Sequence, residues 1–268
     1  MSAWLGYLWL APVGFVVGAL GTLVGAGGGF LIAPLLLLVY PHERPETIAS
    51  ISLAVVMLNA LSGTWAYSRM GRVDYRSGLL ISAATIPGAI LGAYTTTLLP
   101  RRTFDIIFAL VLIAGAALLL WKPHGRSGPA RGGVERTVVE RDGTVHTFRF
   151  HPWPTALLSL GVGFMSSLLG IGGGIIHVPL LTAVLGFPVH IATATSHFAL
   201  AVMAGTGTAT HIVTGAFHVG WRRTVMLGIG VLPGAQVGAR LSSRLHGQWI
   251  LRALALALLF VAVRLLVG

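Results

Sequence analysis

Apolar runs of about 20 residues recur from one end of this chain to the other, and that is the length a helix needs to cross the hydrocarbon layer of a bilayer. Of 268 residues, 55% are hydrophobic and only 9% charged. In lipid every backbone N–H and C=O must be paired within the protein, and unalternating apolar runs mark helices rather than barrel strands, which alternate with period two. The chain is therefore read as an all-α integral membrane protein whose surroundings are the lipid bilayer. A net charge of +11 does not point to nucleic acid, because the 18 basic residues sit between the apolar runs, where loops and interfaces fall. Cysteine is absent, which removes disulfides, thiolate metal sites and thiol nucleophiles. Residues 1–41 lack the basic stretch that precedes the apolar core of a cleaved signal, so the N-terminus is expected to be retained.

Compared with itself, the chain is a duplication. Gly25-Ala-Gly-Gly-Gly-Phe-Leu-Ile-Ala-Pro34-Leu-Leu matches Gly170-Ile-Gly-Gly-Gly-Ile-Ile-His-Val-Pro179-Leu-Leu, and Pro87-Gly-Ala-Ile-Leu-Gly-Ala93 matches Pro233-Gly-Ala-Gln-Val-Gly-Ala239. Both matches keep their order at an offset of 145 or 146 residues. Residues 1–122 form a first membrane repeat and 153–268 a second. Between them, 123–152 is a basic extramembrane linker, introduced by Lys122 and carrying Arg126, Arg131, Arg136, Arg141 and Arg149 among Gly, Pro and Ser. Strand-like residues on either side of Asp142-Gly143 predict a β-hairpin there.

Apolar segments run about 4–24, 29–40, 47–68, 77–99 and 103–121, with counterparts near 154–169, 175–187, 191–214, 224–245 and 249–267. The second of each set rises only roughly 18–20 Å as a helix and cannot cross about 30 Å of hydrocarbon. With the segment before it, each forms either one broken helix or a re-entrant hairpin with glycines at its tip. Three further helices follow in each repeat, giving about eight membrane segments. Twelve of the 18 Lys and Arg fall on the linker side under either arrangement, which predicts a cytoplasmic linker but does not choose between the two. Inverted repeats are favoured, because both short pieces stop near mid-membrane as transporter repeats commonly do.

The candidate site centres on Gly25, Gly27, Gly28 and Gly29 and on their twins Gly170, Gly172, Gly173 and Gly174. Glycine clusters in a helix mark places where the backbone leaves helical form. An unwound turn before a half-helix aims free N–H groups and the positive end of the dipole at one spot, which suits an anion without a buried Lys or Arg. Neither cluster fits a dinucleotide fingerprint or a P-loop. By contrast, Gly88, Gly92, Gly234 and Gly238 have the spacing of close helix packing. On the next helix of each repeat, Ser50, Ser52 and Asn59, then Thr193, Thr195 and Ser196, could complete the coordination of an oxyanion or serve as interhelical glue. His177, His197 and His211 lie well inside apolar segments, where Ile32, Leu53 and Tyr67 stand in the first repeat. Each could couple proton movement or touch the substrate, or be a neutral His bonded to a backbone carbonyl. Arg69, Arg72, Arg76, Arg222 and Arg223 read as caps that fix helix depth, or as an electrostatic lure for anions.

These glycine motifs, each followed by an Ala-Ser/Thr-rich helix and then by Pro-Gly-Ala-x-x-Gly-Ala, resemble the sulfite exporter TauE/SafE family of permeases over nearly the whole chain except the linker. The resemblance implies a secondary transporter of small anions, such as sulfite, sulfoacetate or other sulfonates and organic acids, in the bacterial cytoplasmic membrane. No cofactor is implied, and no oligomeric state follows. The alternatives are an intramembrane hydrolase pairing Ser166, Ser167 or Ser196 with His177, His197 or His211, and a membrane protein holding haem or a metal through paired His.

Overall fold

Two helical stretches break at their glycines, and the rest of the fold is arranged around those breaks. The structure is a computed structural model that describes residues 4, 6–120, 133–242 and 248–267. Residues 123–132, which carry the first part of the linker, lie outside the described residues. Helix α1 (Leu10–Val24) ends where Gly25 turns left-handed at φ 83°, and α2 (Gly29–Val39) starts after Gly28 at φ 81°. Then follow α3 (Pro45–Arg69), α4 (Tyr75–Thr96) and α5 (Arg101–Leu120). Asp74 opens α4 as its N-cap, accepting from the Ser77 amide at 3.3 Å, the bond that satisfies a helix-start donor. The second half repeats the order with α6 (Pro152–Leu169), α7 (Gly174–Pro179), α8 (Val189–Val213), α9 (Trp221–Leu241) and α10 (Gln248–Val267). Pro179 cannot donate a backbone bond. Beyond it α7 widens into a π turn over Leu180–Val184, closed by the Leu185 amide on the Leu180 carbonyl at 3.1 Å.

Four described helices, α3, α4, α6 and α9, are long and apolar enough to cross a membrane. This is a multi-pass helical membrane protein, and its helices meet through small residues because lipid gives no hydrophobic drive to pack them. Helix α1 lies along α9 in the same direction, Gly14 against Leu227 and Gly18 against Val231, with Gly234 and Gly238 against Phe15 and Ala19. Helix α4 lies along α6 in the same way, Gly88 against Leu160 and Gly92 against Phe164. At each of these glycines in α4 and α9 a Cβ would fall on a facing carbonyl oxygen, as the packing reading requires. Helices α3 and α8 cross antiparallel, with Gly207 beside Leu53 and Gly63 beside His197. Helix α5 packs on α10, Arg102 donating to the Leu266 carbonyl at 3.0 Å. Exchanging each helix for its counterpart in the other half leaves this set of pairings unchanged.

Strands β1 (Val134–Val139) and β2 (Val145–Phe150) form the antiparallel hairpin, Val139 opposite Val145. The loop is Arg141-Asp142-Gly143 rather than the two-residue Asp-Gly turn. Gly143 is left-handed at φ 89°, the three-residue form with a bulge. The Thr144 amide donates to Asp142 at 2.9 Å and holds that exposed carboxyl below its usual range. The hairpin is docked on both halves. Glu140 accepts from Arg72 at 2.6 Å and meets His146 at 2.9 Å, and the Arg141 amide donates to the Met70 carbonyl at 3.0 Å. Phe148 and Phe150 close around Phe187, with ring centroids 4.5 and 5.1 Å away. The hairpin therefore covers one end of the bundle, the linker end. At the opposite end Arg223 bonds Glu43 at 2.7 Å and lies 3.9 Å from the Tyr40 ring centre, while Arg101 donates to the Glu43 carbonyl at 2.7 Å.

Candidate substrate site

Each glycine turn folds its short helix back on the helix before it. Gly28 lies against Val17, and Gly21 against Gly28. In an unbroken helix residues 17 and 28 would sit about 16 Å apart. In the second half His177 of α7 returns to Ser159 of α6, with 3.1 Å between Nε2 and Oγ. The reversals use Gly25, Gly27 and Gly28 at φ 83°, 70° and 81°, and Gly170, Gly172 and Gly173 at 71°, 74° and 52°. Side chains rarely adopt this left-handed region. The Ala26 and Gly27 amides both donate to the Gly21 carbonyl, at 2.7 and 3.1 Å. The Gly28, Gly172 and Gly173 amides find no backbone acceptor among the described residues.

The two turns meet. A Cβ on Gly29 would come within 2.6 Å of the Ile171 carbonyl oxygen, and one on Gly174 within 2.5 Å of the Gly25 carbonyl oxygen. Over them lie Val56 of α3 and Leu200 of α8, each against both Gly27 and Gly172. All the glycines of both turns are buried, as are Val56 and Leu200. An apolar pair thus packs directly on both turns.

The polar residues singled out in the sequence divide into those that join this centre and those that do not. Ser52 joins it, its hydroxyl donating to the Gly170 carbonyl at 2.5 Å and lying 3.5 Å from that of Gly29. Asn59 accepts from Thr22 at 3.0 Å, and its Nδ2 has no partner among the described residues. His197 lies 3.4 Å from the Thr22 hydroxyl, edge-on to Tyr67, whose hydroxyl donates to the Thr22 carbonyl at 2.8 Å. Thr193 touches Gly25 through its methyl group. Thr195 faces α4 instead, accepting from the Asp74 amide at 3.1 Å, and Ser50 turns mainly to its own helix, donating to the Thr47 carbonyl at 2.8 Å with the Ala216 carbonyl 3.5 Å away. Among the described residues Ser196 is buried without a partner. So are both ring nitrogens of His211 and the hydroxyls of Ser166 and Ser167, and among those residues none of the three serines bonds a His as a nucleophile would its base. Among the described residues no group of three or more His, Asp or Glu is placed to hold a metal.

Of the flanking arginines, Arg72 and Arg223 are bound to Glu140 and Glu43, Arg69 lies 4.8 Å over Trp65, and Arg222 lies 5.5 Å from the Trp221 ring. That is anchoring at the helix ends. Thr22, Val56 and Leu200 were not foreseen. Thr22 could have been, as the sole hydroxyl in α1. Val56 and Leu200 stand among dozens of similar aliphatics, and only the register between α3 and α8 distinguishes them.

The sequence model of the family described as sulfite exporter TauE/SafE matches residues 10–265. The chain is 29% identical to the probable membrane transporter protein YunE of Bacillus subtilis, over 98% of both chains. It is 27% identical to a probable membrane transporter protein of Xylella fastidiosa, over 95% of this chain and 90% of that one. No solved structure matches it. The chain belongs to the sulfite exporter TauE/SafE family, and it is a membrane transporter.

Proposed function

We propose that this TauE/SafE family member carries a small anion of the sulfite, sulfonate or organic-acid class across the bacterial cytoplasmic membrane. The anion binds where the two glycine turns face one another. The observation that carries this reading is the contact between the turns, Gly29 on Ile171 and Gly174 on Gly25, with amides at Gly28, Gly172 and Gly173 that find no backbone acceptor among the described residues. Oriented amides at the start of a half-helix attract negative charge without a buried cation, and non-helical backbone at membrane depth is tolerated where it lines a cavity.

The two halves are inverted repeats, each a re-entrant hairpin followed by three crossings. What supports this is the antiparallel crossing of α3 with α8, since counterpart helices run in opposite directions only when the halves are inverted. The hairpin-bearing end faces the cytoplasm, as the distribution of Lys and Arg supports. Transport then consists of withdrawing Val56 and Leu200 from the turns and opening one end of the bundle at a time. Ser52, Asn59 and Ser196 border the site, Thr195 acts by holding α4, and His177 and His211 are the groups able to exchange protons with it, while His197 packs against Thr22 and Tyr67.

Proteoliposomes loaded with labelled sulfite are expected to show saturable efflux that unlabelled sulfite or a sulfonate inhibits. Gly28→Ala and Gly173→Ala are expected to lower it at least tenfold while the protein still elutes as one folded species. Normal flux in both variants would refute the site.

A further inference from the structure

The two halves differ in one respect that their pairing does not require. Along α6, Thr155, Ser159, Ser166 and Ser167 are all fully buried, and their spacing places 155, 159 and 166 on one helix face. The first-half residues at these places are Leu10, Gly14, Gly21 and Thr22. The same holds for the imidazoles. His177 replaces Ile32 and touches Ser159 at 3.1 Å, while its Nδ1 has no partner among the described residues. His211 replaces Tyr67. Tyr67 is long enough to reach the Thr22 carbonyl at 2.8 Å, whereas the shorter His211 ring ends with both nitrogens unpartnered among those residues.

Among the described residues His177 Nδ1, Ser166 Oγ, Ser167 Oγ and the two ring nitrogens of His211 are buried without partners, as are Ser196 Oγ and His197 Nδ1 in the same half and Asn59 Nδ2, Thr64 Oγ1 and Ser82 Oγ in the other, where no imidazole stands among them. Ser166 lies against Gly173 of the turn, and Ser167 against Gly207, one helical turn from His211. Buried polar groups of this kind are satisfied by ordered water. We propose that these groups form a hydrated proton path through the second half, with His177 and His211 as its proton carriers, so that the protein moves protons together with its anion.

The path runs from Thr155 at the linker end, through Ser159 and His177, past Ser166 and Ser167 at the turn, to His211 toward the opposite end. With Nε2 bonded to Ser159 and Nδ1 free, a proton taken from water at Nδ1 makes the imidazolium. Loss of the Nε2 proton to the Ser159 hydroxyl, which passes its own hydrogen to the next water, returns the ring to neutral. Among the described residues no hydrogen bond or ion pair joins a charged side chain to either ring. On α3, which packs against α8, Glu46 is held by Arg44 at 2.7 Å, and α5 meets α7 through Gly115 and Ile175. His197 Nδ1 is likewise unpartnered among the described residues, but its ring packs on Gly63 and Tyr67 of the first half, with Nε2 3.4 Å from the Thr22 hydroxyl, and it serves as the internal control.

The coupling rests on the transport reading, and two measurements separate them. Exchange of the imidazole C2 hydrogen for deuterium, followed by mass spectrometry on the full-length protein in lipid nanodiscs, reports whether each ring takes protons from water and needs no substrate. His177 and His211 are expected to exchange at least tenfold faster than His197 with a sigmoid pH profile, and rates equal to that of His197 would overturn the path. The second measurement is the proton-to-sulfite ratio in proteoliposomes, using a trapped pH dye and labelled sulfite. His177→Ile and His211→Tyr install the residues that the first half already accommodates, and each is expected to lower that ratio at least tenfold. An unchanged ratio, or wild-type sulfite flux without protons, overturns the coupling. Absence of any wild-type sulfite flux refutes the transport reading instead, and the exchange rates then decide the path on their own.

Discussion

Ser52, in the first half, donates its hydroxyl to the carbonyl of Gly170, in the second, at 2.5 Å. One repeat thus holds the glycine turn of the other. A neutral bond of this kind contributes about 1 kcal/mol, more when its loss leaves a buried carbonyl unpaired. Ser52→Ala is expected to lower the melting temperature by a few degrees and to slow sulfite flux severalfold, while Ser50→Ala, whose hydroxyl serves mainly its own helix, leaves flux near wild type. Thermal unfolding and the liposome assay check both.

Glycines of two kinds should fail in two ways. Gly173 is left-handed and faces the flexible end of Met203, so alanine there costs roughly 1–2 kcal/mol of backbone strain and is expected to abolish flux in a protein that still folds. Gly88 has ordinary helical backbone, but a Cβ would strike the Leu160 carbonyl of α6. Gly88→Val is expected to destroy the α4–α6 contact and with it the yield of monodisperse protein, measured by size-exclusion chromatography.

Val56 and Leu200 pack directly on both turns. Leu200→Ala is expected to cost about 2–5 kcal/mol in stability, as truncation of a buried leucine does, and to admit larger sulfonates. The check is competition of sulfite flux by sulfonates of increasing size. Unchanged size selectivity would mean that the pair does not border the substrate.

Glu140 is nearly enclosed between Arg72 and His146, and Arg72 is itself only 11% exposed. Glu140→Ala leaves that guanidinium without its carboxylate, at a cost of about 3 kcal/mol, and is expected to release the hairpin. Limited proteolysis within residues 140–146 should then proceed at least tenfold faster, with the helices intact by circular dichroism.

Much of this was legible before any coordinates. Gly25–Gly29 and Gly170–Gly174 announce themselves because a triple glycine has no reason to stand inside an apolar helix unless the helix stops there, and the hairpin follows from Asp142-Gly143 between β-branched residues. The choice between a broken helix and a hairpin was not legible, since loop charge counts are the same for both, and the contact of Gly28 with Val17 is what supports the hairpin proposed above. Thr195 was assigned to the site and faces α4 instead. Helix α8 is buried on nearly every side, so its hydrophobic pattern carries no information about which hydroxyl points where. The dock of the hairpin was equally hidden, because Phe187 and Arg72 lie far from residues 134–150 in sequence and no local pattern joins them.

The hairpin runs straight into α6 through His151, so its seating on the 70–74 loop is a unimolecular event. A tethered element meets its dock at an effective concentration on the order of millimolar, and an ion pair with two phenylalanines is enough to keep it seated. A separate inhibitory protein making the same contacts would remain mostly unbound. The occupancy of this dock at one end of the bundle therefore does not depend on how much protein the membrane holds.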